Sequence, residues 1–324
     1  MGQGLFELFQ AQLERAKDLV LVGGGHSHVI AIKMFSMQPI DGQQITLISS
    51  SIDTPYSAMI PGLIAGHYEY CDAHIDLMRL CHWAGIRFVQ AEVIGFDPQR
   101  KRLDLLNRPP IFYDVVSFDV GAGLNLNLAN SSLDNIIPVK PISKFWDKWL
   151  DVKNRSWKVN KIAVVGGGPG SAELAMSMAE SLSPQKIQLD LYCGSSRLLS
   201  EFSIRSSQHV KRALNNYGVT VHLDAWVDKV TKDHLVLKSN VYHSYDVAFW
   251  CTSAAPTSWL ANSGLPLDSN GFLATRTTLQ SLDDDDIFAT GDCAALINKP
   301  MAPPASPFSI ESPARLPMMV RIST

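Results

Sequence analysis

The stretch Leu19-Val20-Leu21-Val22-Gly23-Gly24-Gly25-His26-Ser27-His28-Val29-Ile30 decides how this chain is read. Its first four residues are apolar without alternation, which marks a strand buried on both faces. Three glycines follow, then an apolar run that reaches Phe35 at roughly helical spacing. Strand, glycine turn and helix form the unit with which a doubly wound sheet binds a dinucleotide. Gly23 permits the tight turn, and Gly25 lets a pyrophosphate approach the backbone. The helix N-terminus, with Gly24, His26 and Ser27 beside it, offers unpaired N–H groups to phosphate. The third glycine of the fingerprint falls at position 28, which holds His28. That glycine normally serves close helix–strand packing, so His28 reads as a packed residue. His26 reads as either a phosphate contact or a packed side chain.

The pattern recurs at Lys161-Ile162-Ala163-Val164-Val165-Gly166-Gly167-Gly168-Pro169-Gly170-Ser171. Ser171 takes the third glycine position and is small enough for close packing. Gly166, Gly168, Pro169, Gly170 and Ser171 are therefore the candidate contacts of a second nucleotide. Each turn predicts a partner strand, at 44–48 and at 187–192. Such a strand usually ends on a carboxylate that binds the adenosine ribose. In the first half Ser49 stands there, either as a weaker ribose contact or as an ordinary strand end. In the second half the position holds Cys193, with Arg197 just beyond. An arginine without an acid suits a 2′-phosphate, and it equally suits a solvated loop, so NADH and NADPH both stay open.

The rest of the chain fits around these two units. With 324 residues, 46% hydrophobic and 18% charged, it is long and apolar enough for two folded domains. A net charge of −3 gives no reason to expect nucleic acid as a partner. Five cysteines, an odd number without a CxxC pair, argue for a reducing, cytoplasmic compartment. No apolar run approaches the ~18 residues of a membrane span, so no integral membrane segment is expected. Residues 1–16, with Leu5, Phe6, Leu8, Phe9 and Leu13, read as an amphipathic leader that packs on the domain or lies at a membrane surface. The nine histidines include no HExxH or HxxxH spacing, and Asp283 to Asp286 read as a solvated loop, so no metal site is expected. A linker is expected at 137–141 and a helix from 142, with Phe145, Trp146 and Trp149 on its core face. Two strands at 102–105 and 111–116 are expected to be joined by a polar turn at 107–110.

The segment Ile287-Phe288-Ala289-Thr290-Gly291-Asp292 joins these pieces. Two dinucleotide units with a terminal strand ending Ala-Thr-Gly-Asp resemble the pyridine nucleotide–disulfide oxidoreductase superfamily, over roughly residues 17–297. The resemblance implies an α/β fold of two Rossmann-like domains, with the second inserted in the first. Residues 17–140 plus 258–298 would bind FAD and 141–257 would bind NAD(P)H. It implies that Gly23, Gly24 and Gly25 hold the FAD pyrophosphate, that Val93 lies near the adenine, and that Asp292 holds the ribityl chain. Pro55, in the loop after the second strand, and Gly121, in a further glycine turn, complete the expected flavin contacts. That loop lacks the CxxxxC of the disulfide branches, so the chain looks more like the type II NADH dehydrogenase branch. Gly23 to His28, Thr54 to Ser57, Pro61 to Tyr68, Ala73 to Leu77 and Val139 to Ile142 also resemble the flavoprotein module that some bacteria and algae carry fused to selenide, water dikinase. His28 is usual in that module. Such a kinase domain would be a partner, since no kinase portion is present here. Residues 299–324 depart from the family pattern, with prolines at 300, 303, 304, 307, 313 and 317. An interior proline costs a helix about 3 kcal/mol, so the C-terminal portion reads as truncated or aberrant.

The resemblance implies an FAD-dependent NAD(P)H oxidoreductase that passes electrons to a quinone or another acceptor. Glu173 is the candidate acid–base residue, because related dehydrogenases place a glutamate there beside nicotinamide and flavin. A first-turn glutamate favoured by the helix dipole is the other reading. Two further functions stand beside the enzyme: a non-catalytic nucleotide-binding module linked to selenophosphate synthesis, and an inactive fragment.

Overall fold

The computed structural model describes residues 17–39, 42–124, 133–155, 158–183, 187–252 and 254–297. The expected leader at 1–16 and the proline-rich stretch at 299–324 lie outside the described residues.

In the first half, β1 (Lys17–Val22) leads through the glycine turn into α1 (His26–Met37), then β2 (Gln43–Ser49), α2 (Leu77–Ala84), β3 (Arg87–Gln90) and β4 (Val115–Phe118). In the second half, β5 (Ile136–Pro138) and α3 (Ile142–Asn154) precede β6 (Lys161–Val165), α4 (Pro169–Leu182), β7 (Gln188–Tyr192), α5 (Ile204–Asn216), β8 (Thr220–His222) and β9 (Val247–Trp250). The chain then returns through β10 (Ile287–Ala289). The first sheet has the order β10-β4-β1-β2-β3 and the second β5-β9-β6-β7-β8, and every pair in both is parallel. Both place their glycine turn after the central strand, where the strand order reverses, the position at which such sheets bind ligands.

Strand periodicity explains why the apolar runs are unbroken. Leu19 and Leu21 pack with Ala31, Ile32 and Leu77, whereas Val20 and Val22 pack with Phe118 and Ile287. A strand covered on both faces has no position left for a polar residue. The helix at 142–154 buries Phe145 and Trp149 completely, as its aromatic face leads one to expect. A shared core that includes Leu63 and Ile64 of the helix Ile60–Ala65 together with Leu174 and Met178 of α4 joins the two halves.

One hairpin differs from the sequence expectation. Pro109 and Pro110 lie within a strand, Arg108–Phe112, rather than in a turn. The strand is the outer member of a three-stranded antiparallel sheet and, among the described residues, pairs only with Arg102–Leu105. An edge strand loses no ladder bond where a proline lacks its N–H outward. The chain reverses instead at Asn107, whose φ of 54° an asparagine tolerates.

Candidate functional site

The first glycine turn is shaped by the protein's own atoms. Gly23 has φ +95°, and its N–H donates to Ile48 O at 2.8 Å, tying the turn to β2. A Cβ at Gly23 would overlap the Asp119 carbonyl, one at Gly24 the Leu77 side chain, and one at Gly25 the Asp119 carboxylate. The room that sequence reasoning reserved for a pyrophosphate at Gly25 is thus used by Asp119, which is buried at the carboxyl end of β4. Its Oδ2 accepts from Ser27 N at 3.0 Å and His28 N at 3.3 Å, so it caps the first turn of α1. Sequence reasoning passed over Asp119. The available signal was an acid directly after an apolar strand and two residues before Gly121.

His28 is fully buried and braces the turn from beneath. Its Nδ1 lies 2.7 Å from Gly23 O and its Nε2 2.9 Å from Ser117 Oγ. A carbonyl only accepts, so Nδ1–H donates to Gly23, and Nε2 accepts the Ser117 hydroxyl. Burial pushes the imidazole pKa down to about 4, against a smaller upward pull from the Gly23 hydrogen bond, so the ring is neutral at pH 7. The packed role expected for His28 is what the structure shows.

Above the turn lies a cleft of about 390 Å³. Gly23, Gly24, Gly25, His26, Ser27, Ser49, Pro55, Val93, Gly121 and Asp292 all line it. The N–H groups of Gly24, Gly25 and His26 donate to no described residue, so they are available to an anion. His26 packs its ring on Tyr56 at 4.4 Å, and burial lowers its pKa. Ser27 Oγ meets Thr290 Oγ1 at 3.0 Å, which ties α1 to the returning segment. That segment reaches the cleft because β10 pairs with β4, with Ile287 opposite Val116 and Ala289 opposite Phe118. Asp292 there accepts from Lys140 Nζ at 2.5 Å. Lys140 follows β5 of the second sheet and is only 9% exposed, so a cation from the end of one sheet meets a carboxylate from the end of the other. Sequence reasoning placed Lys140 in a linker, and only the fold brings it to Asp292.

The second turn has the same design with a different filling. Gly166 has φ +152°, and a Cβ there would overlap Cys251 O, whereas one at Gly167 would overlap Cys193 Sγ. Gly168 caps α4 without any side-chain cap and faces open space, and Pro169 and Gly170 begin the helix. Ser171 Oγ donates back to Gly168 O at 2.7 Å. Arg197 donates to the carbonyls of Phe202 and Ser200 and so binds its own loop. Glu173 is half-buried on α4 and does not line the first cleft. Burial pushes the Cys251 thiol up to about 12, with smaller effects from the Lys140 charge, which lowers it, and the Glu173 charge, which raises it. The five cysteines form no disulfide. Asp285 and Asp286 of the acidic run pair with Arg276 and Lys101, both at 2.6 Å. Among the described residues no three His, Cys, Asp or Glu side chains are placed to hold a metal ion, and no helix is long and apolar enough to cross a membrane.

Comparison with known proteins gives a consistent picture. The family model described as pyridine nucleotide-disulphide oxidoreductase matches residues 17–311. The NADH dehydrogenase-like protein YutJ of Bacillus subtilis is 24% identical over 291 residues, covering 88% of this chain and 79% of that protein. A type II NADH:quinone oxidoreductase of Haemophilus influenzae is 33% identical over 161 residues, covering 45% of this chain and 36% of that one. Among solved structures, NDH2 of Plasmodium falciparum in complex with NADH superposes with a TM-score of 0.73 at 20% identity, over 86% of this chain and 64% of that one. The reduced CoADR-RHD of Bacillus anthracis gives 0.75 at 17% identity over 86% of this chain, which spans about half (51%) of that longer protein. These structures share the α/β fold with its two Rossmann-like units. None of these proteins carries a selenium-related activity in its name.

Proposed function

Because this chain belongs to the pyridine nucleotide-disulphide oxidoreductase family, we propose that it is an FAD-dependent NAD(P)H oxidoreductase of the type II NADH dehydrogenase kind, with a quinone as electron acceptor. The observation that carries this reading is the return of β10. It brings Asp292 across the fold to the cleft built on the first glycine turn, where a dinucleotide's sugar chain would lie. The cleft residues fit FAD. Open N–H groups at Gly24, Gly25 and His26 match a pyrophosphate, with the α1 N-terminus behind them. Ser49 and Val93 border the adenosine end. Asp292, held by Lys140 through Oδ2, keeps Oδ1 for ribityl hydroxyls. When bound, the flavin supplies the redox chemistry, accepting a hydride from the reduced nicotinamide and releasing electrons to the acceptor.

On this reading 17–140 with 258–298 hold FAD, and 141–257 hold the nicotinamide nucleotide. The second turn offers its phosphates the uncapped N-terminus of α4. On the same reading Glu173, half-buried on α4, is the acid–base residue beside the nicotinamide and the flavin. Electrons leave without a protein disulfide, since the loop at Pro55 to Gly62 carries no cysteine. The relatives named for NADH:quinone oxidoreduction support the quinone as acceptor, and a chain of this kind would work in the cytoplasm or against a membrane surface.

The test is anaerobic NADH oxidation by the purified chain with a short-chain quinone. Quinone-dependent turnover proportional to bound flavin supports the proposal. A protein that binds flavin and NADH yet reduces no quinone refutes the acceptor, and one that retains no flavin refutes the enzyme.

A further inference from the structure

The carboxyl end of the second sheet carries a feature that the fingerprint does not explain. Asp224 and Trp226, in the loop after β8, lie against the loop that follows β7. Asp224 N donates to Ser195 O at 3.0 Å and Ala225 N to Cys193 O at 2.8 Å. The indole of Trp226 covers Gly194, where an added Cβ would come within 2.6 Å of the ring. Trp226 nevertheless remains 62% exposed. Gly167, Cys193, Gly194 and Trp226 thus form a continuous shelf from the phosphate-binding turn to an open aromatic face. Asp224 is exposed, has φ +52°, and its charge contributes to raising the pKa of the Cys193 thiol, after burial. It is the acid beside the strand end from which the usual ribose-binding carboxylate is missing.

We propose that this shelf is the adenosine platform of the second nucleotide site, with Trp226 stacking the adenine and Asp224 selecting NADH against NADPH. The inference rests on the proposed use of the second turn by a nicotinamide nucleotide. Two physical arguments support it. An exposed indole face backed by a glycine is a stacking surface already desolvated on its other side. A carboxylate from the loop after the neighbouring strand supplies an acceptor for the ribose hydroxyls and repels a 2′-phosphate. Arg197 holds its own loop rather than offering its donors to a 2′-phosphate, because its guanidinium donates to the carbonyls of Phe202 and Ser200.

The test is calorimetric titration of the purified full chain, in the flavin state in which it is isolated, with NADH and with NADPH. The wild type is expected to bind NADH at least tenfold more tightly. Asp224→Asn tolerates the positive φ and is expected to erase most of that preference, chiefly by tightening NADPH binding. Trp226→Ala is expected to weaken both nucleotides by roughly 5- to 100-fold, as loss of one stacked base does, and Trp226→Phe to recover most of the loss. Equal binding of the two nucleotides by the wild type, or an unchanged ratio in Asp224→Asn, overturns the selectivity and leaves the oxidoreductase standing. Unchanged affinity in Trp226→Ala overturns the platform. Binding of neither nucleotide by the wild type removes the underlying function as well.

Discussion

Replacing His28 by glutamine should flatten the acid side of the stability profile. In the folded protein the imidazole is fully buried, donates to Gly23 O and accepts from Ser117 Oγ. Burial holds its pKa at about 4 instead of the ordinary 6.5. The unfolded chain therefore takes up a proton between these values while the fold does not. Stability linked to this group is fully present above pH 6.5, is lost as the pH falls through that window, and levels off below about 4. At about 1.36 kcal/mol per pH unit the whole effect is roughly 3 kcal/mol, of which ~2 kcal/mol falls between pH 7 and pH 5. Glutamine can donate and accept at this site but does not titrate. Urea unfolding of both proteins at pH 7 and pH 5, in the same flavin state, isolates the term, because all other groups cancel in the double difference. The wild type should lose about 2 kcal/mol more than His28→Gln over that interval. Parallel losses would refute the neutral, buried imidazole as the brace of the glycine turn.

Four further substitutions follow from the geometry. Lys140→Met removes the partner of Asp292; the lysine is 9% and the aspartate 38% exposed, so the effect should lie between an exposed and a buried pair, at about 1–2 kcal/mol. It should show as lower flavin content after purification, with Asp292→Ala lower still, and normal content in both would contradict the assignment of this pair to the flavin site. Gly166→Ala places a Cβ against Cys251 O at φ +152°, so NADH binding should fall more than tenfold while flavin is retained, as measured by titration and absorbance. Glu173→Gln should leave flavin content and NADH affinity unchanged and lower turnover at least tenfold; unchanged turnover across pH would assign Glu173 to the helix dipole alone.

The two glycine turns were legible in the sequence because their signals are local, whereas the return strand was expected from the resemblance carried by Ile287 to Asp292. An unbroken apolar strand, a glycine that must take positive φ and a helix start all lie within about a dozen residues. His28 could be recognised as packed, but not its partners, since Ser117 arrives from a strand 89 residues away. Asp119, Lys140 and Trp226 were missed for a related reason. Each acts on a residue that only the fold brings near: Asp119 on the first turn of α1, Lys140 on Asp292, and Trp226 on Gly194. The role given to Gly25 shows the same limit from the other side. Its missing Cβ was read as space for a ligand, and the space belongs to the Asp119 carboxylate. The hairpin at 107–112 failed because proline is ambiguous between a turn and an outer strand until the neighbours of the strand are known.

The central claim, that one chain carries a flavin and a nicotinamide nucleotide in electronic contact, is tested most directly by adding NADH to the purified protein without oxygen and recording the visible flavin band. The account predicts that the chain is isolated with flavin and that NADH bleaches the band in proportion to the nucleotide added. A flavin band that persists in excess NADH and NADPH, in a folded protein that binds either nucleotide, would contradict it.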